Sequence, residues 1–304
     1  MNMPIQPVRK GKLIAIGGAE DKASATSILE RVLKCAHMSE PRVGVITTAS
    51  SIPDEVFEGY REVFERLGAG EILDIRIRTR AEAADAKIIE KITQSDVIFI
   101  SGGDQMRLTS IFGGSDALAA IRKRYEEGAV IAGTSAGAAC QSTTMVYGGN
   151  AIDSLRKGAV RMSAGFGLID KVIIDTHFLE RGRFSRLMEV GATNPEYLGV
   201  GLGEDAAVLF GDDTIHAFGP GHVILVDSSR ITGSNVFDLS DGEAVSVHNV
   251  LMHAMIDGDA YSMSDRRMLS AEELGKKRLE QTKCNSQAPS PITGCSGAAV
   301  RAGR

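Results

Sequence analysis

Residues 97–100 are four apolar side chains in a row, and they pass directly into Ser101-Gly102-Gly103-Asp104. A strand this short, with no polar alternation, needs cover on both faces, as inside a parallel sheet flanked by helices. The arrangement recurs. Residues 13–16 end in Gly17-Gly18, residues 130–132 lead into Gly133-Thr134-Ser135-Ala136-Gly137, and residues 172–174 lead into Asp175-Thr176-His177. Residues 43–46 and 72–77 read as further strands. Helical spacing links Ile28, Leu29, Val32, Leu33 and Ala36. It also links Val56, Tyr60, Val63, Phe64 and Leu67, entered by Pro53-Asp54, and again Leu118, Ile121 and Tyr125. Repeated strand–helix–strand units predict an α/β fold, with a mostly parallel sheet flanked by helices on both faces.

After Leu198 the pattern shortens. Ala207–Phe210, Thr214–Phe218 and residues 222–227 read as short strands, with Gly211-Asp212-Asp213 as a hairpin turn. They are expected to extend the same sheet with antiparallel strands toward the C-terminus. No linker interrupts the chain before residue 270, so residues 10–270 are expected to form a single domain. Residues 276–304 are rich in Lys, Arg, Ser, Pro and Gly, and are expected to be a disordered tail.

A net charge of -5 over 304 residues argues against a nucleic-acid binder that works by bulk electrostatics. Residues 1–12 lack the apolar core of a signal peptide, and no run approaches 18 apolar residues. The expectation is a cytoplasmic protein with no membrane contact. Cys35, Cys140, Cys284 and Cys295 are widely spaced, without a C-x-x-C pair, and read as free thiols.

The turn at residues 133–137 carries the chemistry. Gly-x-Ser-x-Gly between a strand and a helix is a nucleophile elbow, in which a tight turn lifts the serine above the sheet edge. A plain packing turn would use the same glycines, but the buried strand before Ser135 and the small Ala138 and Ala139 after it favour the elbow. A helix over residues 136–142 would point its N-terminus at the same place. Serine needs a base to remove its proton. Of six histidines, His177 is the one that follows an apolar strand at the expected sheet edge. The base needs a carboxylate partner. Glu204 ends the apolar run 198–201 and its glycine turn, with Asp205 and Asp153 as rivals that spacing alone does not separate. Backbone N–H groups of Ala136 and of the Gly102-Gly103 pair, Gly103 above all, can form an oxyanion hole.

In combination, these stretches resemble the cyanophycinases of serine peptidase family S51, which is related to aspartyl dipeptidase. The matching segments begin with Gly17-Gly18-Ala19-Glu20-Asp21-Lys22, Ser101-Gly102-Gly103-Asp104-Gln105 and Gly133-Thr134-Ser135-Ala136-Gly137-Ala138. They continue with Asp175-Thr176-His177-Phe178, residues 181–187 and Gly201-Leu202-Gly203-Glu204-Asp205. The resemblance covers roughly residues 10–260. It implies a glutamine-amidotransferase-like α/β sandwich, a Ser135–His177–Glu204 triad, a homodimer, and no metal or organic cofactor. Descriptions of the wider family favour an aspartate soon after the serine, for which Asp153 is the candidate. The strand context of Glu204 favours it over Asp153. The implied substrate is cyanophycin, a poly-aspartate bearing arginine on each β-carboxyl. The implied product is the β-aspartyl-arginine dipeptide, released from a chain end.

Such a substrate carries both signs of charge. Arg181, Arg183 and Arg186 can meet its carboxylates, for which a guanidinium offers two parallel hydrogen bonds. If their segment is helical, Arg181 shares a side with His177. A solvated basic face paired with Glu180 and Glu189 is the plainer alternative, strongest for Arg186. Gln105 can bond the substrate backbone. Asp175 can position the loop or meet a guanidinium, and Glu20 can recognise arginine or serve as a helix N-terminal carboxylate. Family members carry glutamine just before the histidine where this chain has Thr176, so substrate preference is where it is expected to differ. Two other readings are a related dipeptidase for short aspartyl peptides and a nucleotide-binding module. The second lacks both Gly-x-Gly-x-x-Gly after the first strand and a P-loop.

Overall fold

The structure is a computed structural model that describes residues 11–24, 26–149, 155–211 and 213–275. It divides into two units, Met1–Arg267 and Met268–Arg304. In the second, Ser270 and Glu273 cap each other, the Ser270 N–H donating to the Glu273 carboxylate at 2.8 Å. The expected tail over 276–304 lies outside the described residues.

In the first unit, strands and helices alternate. They run β1 (Lys12–Ile16), α1 (Ser27–Lys34), β2 (Arg42–Ile46), α2 (Pro53–Arg66), β3 (Glu71–Ile75), α3 (Ala86–Gln94), β4 (Val97–Ile100), α4 (Gln105–Phe112), α5 (Asp116–Glu126), β5 (Val130–Thr134) and α6 (Ala136–Ala139). There follow β6 (Thr144–Gly148), β7 (Arg161–Ala164), β8 (Val172–Thr176), α7 (Phe184–Thr193), β9 (Leu198–Leu202), β10 (Ala207–Phe210), β11 (Thr214–Phe218) and β12 (Val223–Asp227). The last are β13 (Gly233–Ser234), β14 (Val247–His248), β15 (Leu251–Met255) and β16 (Ala260–Ser262).

The main sheet contains the order β16-β11-β10-β1-β5-β4-β2-β3. β1, β5, β4, β2 and β3 are parallel, and β10, β11 and β16 add an antiparallel wing. This is the expected mixed α/β architecture. α1 and α2 close one face, where Ile28, Leu29, Val32, Tyr60 and Phe64 pack on Ile14, Val45, Phe99 and Ala132. Tyr60, Phe64 and Phe99 form an aromatic cluster with centroid separations from 4.6 to 6.2 Å. Among the described residues, no helix is long and apolar enough to cross a membrane.

One expectation is corrected. β12 does not extend the main sheet, and β8 and β9 are not in it either. These strands form a second sheet in the order β15-β12-β9-β8, with β8 and β9 parallel. Its own core explains the separation. Ile173, Ile224 and Val226 pack with Phe178, Leu187 and Val190 of the following turn and α7. The chain therefore buries two apolar layers rather than widening one sheet.

Three boundaries also differ. β3 stops at Ile75, because the carbonyl of Ile77 is taken by the Thr48 hydroxyl at 2.7 Å rather than by a strand. α6 stops at Ala139, because the carbonyls of Cys140, Gln141 and Ser142 accept N–H groups from residues 166–168. β8 runs on through Asp175 and Thr176. Two helices left unassigned by the apolar pattern, α3 and α4, start on aspartate caps. The Asp85 carboxylate accepts the Lys87 N–H at 2.7 Å, and that of Asp104 accepts the Met106 N–H at 2.8 Å.

Phe64 is fully buried between α2 and the sheet. Phe64→Ala is expected to lower unfolding free energy by about 3–5 kcal/mol in urea denaturation.

Candidate active site

Ser135 closes β5 with φ 52° and ψ -111°, a backbone conformation that L-residues avoid. The flanking glycines are required by close approach. A Cβ on Gly133 would lie 2.1 Å from the carbonyl oxygen of Gly137, and one on Gly137 would lie 2.1 Å from that of Ile100. The serine is thus forced up between β5 and α6, as the elbow pattern requires.

His177 follows the last residue of β8 and Glu204 follows β9, so both come from the second sheet rather than from the edge shared with Ser135. The side chains nonetheless meet. Ser135 Oγ lies 3.1 Å from His177 Nε2, and His177 Nδ1 lies 2.7 Å from Glu204 Oε1. A carboxylate only accepts, so Nδ1–H donates to Glu204 and Nε2 is left to accept the serine O–H. Asp205 instead turns its carboxylate to the backbone N–H of Asp21, at 3.2 Å. Asp153 lies outside the described residues.

The end of β1 holds this line together. Three successive carbonyls, those of Ile16, Gly17 and Gly18, accept the backbone N–H groups of Ser135, His177 and Asp205 at 3.0, 2.9 and 2.9 Å. Each of these three donors has positive φ, at 52°, 48° and 51°. A non-glycine residue in that region costs about 1–3 kcal/mol and persists only where its surroundings over-determine it. One strand end supplies that constraint for Ser135, His177 and the Glu204-Asp205 loop together.

Gly18 is the residue that sequence reasoning passed over. It has φ 106°, and a Cβ there would sit 2.4 Å from His177 Cε1. The signal was its place in Gly17-Gly18 directly after a buried strand.

Gly102 faces Ser135, where a Cβ would lie 3.1 Å from Ser135 Cβ. The backbone N–H groups of Gly103 and Ala136 have no acceptor among the described residues. Ser135 and His177 border a cavity of about 430 Å³, whose lining also includes Glu20, Lys22, Glu55 and Tyr60. Glu20 lies outside the first turn of α1, which starts at Ser27. Its buried carboxylate accepts the Tyr60 O–H at 2.5 Å and the Thr134 O–H at 2.6 Å.

The arginines separate into two kinds. Residues 178–183 form turns, and α7 begins only at Phe184. Arg181 is exposed, without a side-chain partner among the described residues. Arg186 is not on a solvated face. It is buried, with Nε 3.1 Å from Asp175 Oδ2, and Arg183 Nη1 lies 3.1 Å from Asp175 Oδ1. Arg183 also donates to the carbonyl of buried Thr176 at 2.6 Å. Burial pushes the Asp175 carboxyl above its ordinary range, while Arg186 and Arg183 hold it back down. Glu189 is buried too, and accepts the N–H groups of Gly158 and Val160 at 2.9 and 2.8 Å. Gln105 donates its amide to the Val146 carbonyl at 3.3 Å.

A family model for peptidase family S51 matches residues 13–218, a span that holds the whole hydrogen-bonded line. The chain belongs to peptidase family S51. It is 33% identical over 256 residues to a cyanophycinase of Synechococcus elongatus, covering 84% of this chain and 80% of that one. It is 34% identical over 275 residues to a cyanophycinase of a Nostoc species, covering 89% and 92%. The solved structure of a peptidase from an acI-B1 actinobacterium shares the fold, with a TM-score of 0.63, 20% identity, and coverage of 86% of this chain and 100% of that one. This S51 chain is a serine-type peptidase, and so a hydrolase.

Gly18→Ala is expected to displace the His177 ring and cut peptidase turnover on the order of a hundredfold. Steady-state kinetics beside circular dichroism checks this. Unchanged turnover would contradict the packing argument.

Proposed function

We propose that this S51 peptidase is a cyanophycin-degrading exopeptidase, with Ser135 as nucleophile, His177 as base and Glu204 as the acid that orients it. The observation that carries the reading is the unbroken Ser135–His177–Glu204 line, opening on a cavity, in a chain related to cyanophycinases over most of its length.

The chemistry follows from the atoms. Ser135 Oγ attacks the scissile carbonyl as its proton passes to His177 Nε2. The oxyanion forms against the N–H groups of Gly103 and Ala136, which have no acceptor to give up among the described residues. His177 returns the proton to the leaving amine. Water, activated by the same imidazole, then hydrolyses the acyl-enzyme. Glu204 holds Nδ1–H throughout and stabilises the imidazolium.

Substrate recognition divides by charge. Arg181, exposed and without a side-chain partner among the described residues, takes a carboxylate of the substrate. Arg183 and Arg186 share Asp175, so they shape the turn after His177 and offer only their remaining N–H groups. Gln105 keeps its carbonyl oxygen for a substrate N–H. Thr176 replaces a long amide with a short hydroxyl, leaving more room beside His177. The working protein is proposed to be a cytoplasmic homodimer built on one domain over residues 10–270.

Digestion of purified cyanophycin followed by mass spectrometry tests the reading. The expected product is β-aspartyl-arginine, lost by several orders of magnitude in Ser135→Ala. Glu204→Gln is expected to fall by about 10²- to 10⁴-fold, and Asp153→Asn to stay near wild type. Release of no β-aspartyl-arginine by the wild type would defeat the substrate, and the reverse order of the two acid variants would defeat Glu204.

A further inference from the structure

Glu20 is buried at 3% exposure on the connection after β1, yet both its carboxylate oxygens are occupied. Oε2 accepts the hydroxyl of Thr134, the residue immediately before Ser135, at 2.6 Å. Oε1 accepts the Tyr60 hydroxyl from α2 at 2.5 Å, and the half-exposed Lys22 ammonium lies 3.6 Å away. Lys22 also sits 4.7 Å above the Tyr60 ring. Tyr60 itself is pinned among Phe64 and Phe99. The carboxylate therefore joins three elements, namely the β1 connection, α2 and the last residue of β5.

We infer that Glu20 is a positioning residue for the nucleophile, holding the strained Ser135 turn through Thr134 and anchoring it to α2 through Tyr60. Three observations support this over arginine recognition. First, no oxygen of Glu20 is left without a donor. Second, its strongest contacts are to buried hydroxyls rather than to the open cavity. Third, the segment it extends already fixes the active-site backbone, since Ile16, Gly17 and Gly18 receive the N–H groups of Ser135, His177 and Asp205. Those backbone bonds set where Ser135 begins. They orient the Thr134–Ser135 peptide through its N–H, and the Thr134 hydroxyl bond adds a side-chain tie one residue before the nucleophile. Burial, with the Glu20 carboxylate beside it, holds the Tyr60 phenol well above its ordinary range, so it remains a donor. A turn with φ 52° at Ser135 needs this kind of external hold.

The inference rests on Ser135 being the nucleophile, and the test separates the two. A fluorophosphonate reports the reactivity of Ser135 without any peptide substrate. Its labelling rate is measured for wild type, Thr134→Val, Tyr60→Phe, Glu20→Gln and Glu20→Ala. Cyanophycin kinetics and thermal melting accompany it. Thr134→Val is expected to slow labelling by about tenfold, the scale of one lost hydrogen bond to a charged group. Glu20→Ala is expected to slow it on the order of a hundredfold. Glu20→Gln keeps an acceptor and should recover most of the rate. Turnover should fall with KM little changed in each folded variant. If Glu20→Ala does not fold, Thr134→Val, which is close in shape, still decides. Labelling at the wild-type rate in Thr134→Val and Glu20→Gln, with a raised KM for cyanophycin, would overturn the inference and return Glu20 to substrate recognition. Lost stability with unchanged labelling would make it a structural residue only, which also overturns the inference. A wild-type protein that is not labelled at Ser135 would defeat the nucleophile assignment itself.

Discussion

Everything at the site depends on the carbonyl end of β1. That strand lies between β5, which is parallel to it, and β10, which is antiparallel. The geometry has a consequence. A parallel neighbour finishes beside the end of β1, and an antiparallel neighbour starts there. The serine turn after β5 and the acid loop before β10 are thus brought to one place by sheet pairing alone. His177 arrives from the second sheet, and the Gly17 carbonyl receives its backbone N–H. A strand end normally leaves its last carbonyls to water. Here three of them are spent on three residues whose backbones would not otherwise stay in the left-handed region.

This explains why so much of the site is legible in the sequence and why some of it is not. Gly133-Thr134-Ser135-Ala136-Gly137 and the apolar runs before Ser135 and His177 are local patterns, and local patterns survive in a linear reading. Glu204 is suggested by the same kind of pattern, as the first acid after a buried strand, but spacing alone does not separate it from Asp205 and Asp153. The division into two sheets is not local. Residues 172–174 and 198–201 are as apolar as residues 97–100, and apolarity reports that a strand is buried without saying in which layer. Only the partners Phe178, Leu187 and Val190 give β8, β9 and β12 a core of their own.

The charged residues show a similar limit. Arg183 and Arg186 read as groups that can meet substrate carboxylates, but both form ion pairs with Asp175 within the protein. A buried carboxylate beside two guanidiniums is costly to disrupt once formed, because removing one partner strands the other charge. Glu20 differs in that its partners are two hydroxyls contributed by distant positions, Tyr60 and Thr134, and no spacing rule connects residues 20, 60 and 134. Arg181, by contrast, is exposed because residues 178–183 are turns rather than the start of α7. The helix α6 shortens for a comparable reason, since the loop at residues 166–168 claims its next carbonyls. Tertiary competition for backbone groups, rather than propensity, sets these boundaries.

The account stands or falls on covalent chemistry at one atom. Rapid acid quench during cyanophycin turnover, followed by peptide mapping, would look for that bond directly. The account predicts a substrate-derived acyl ester on the Ser135 peptide, formed and consumed within a turnover and absent in His177→Ala. An ester on a different residue, or turnover that proceeds with no covalent species on the protein, would contradict it.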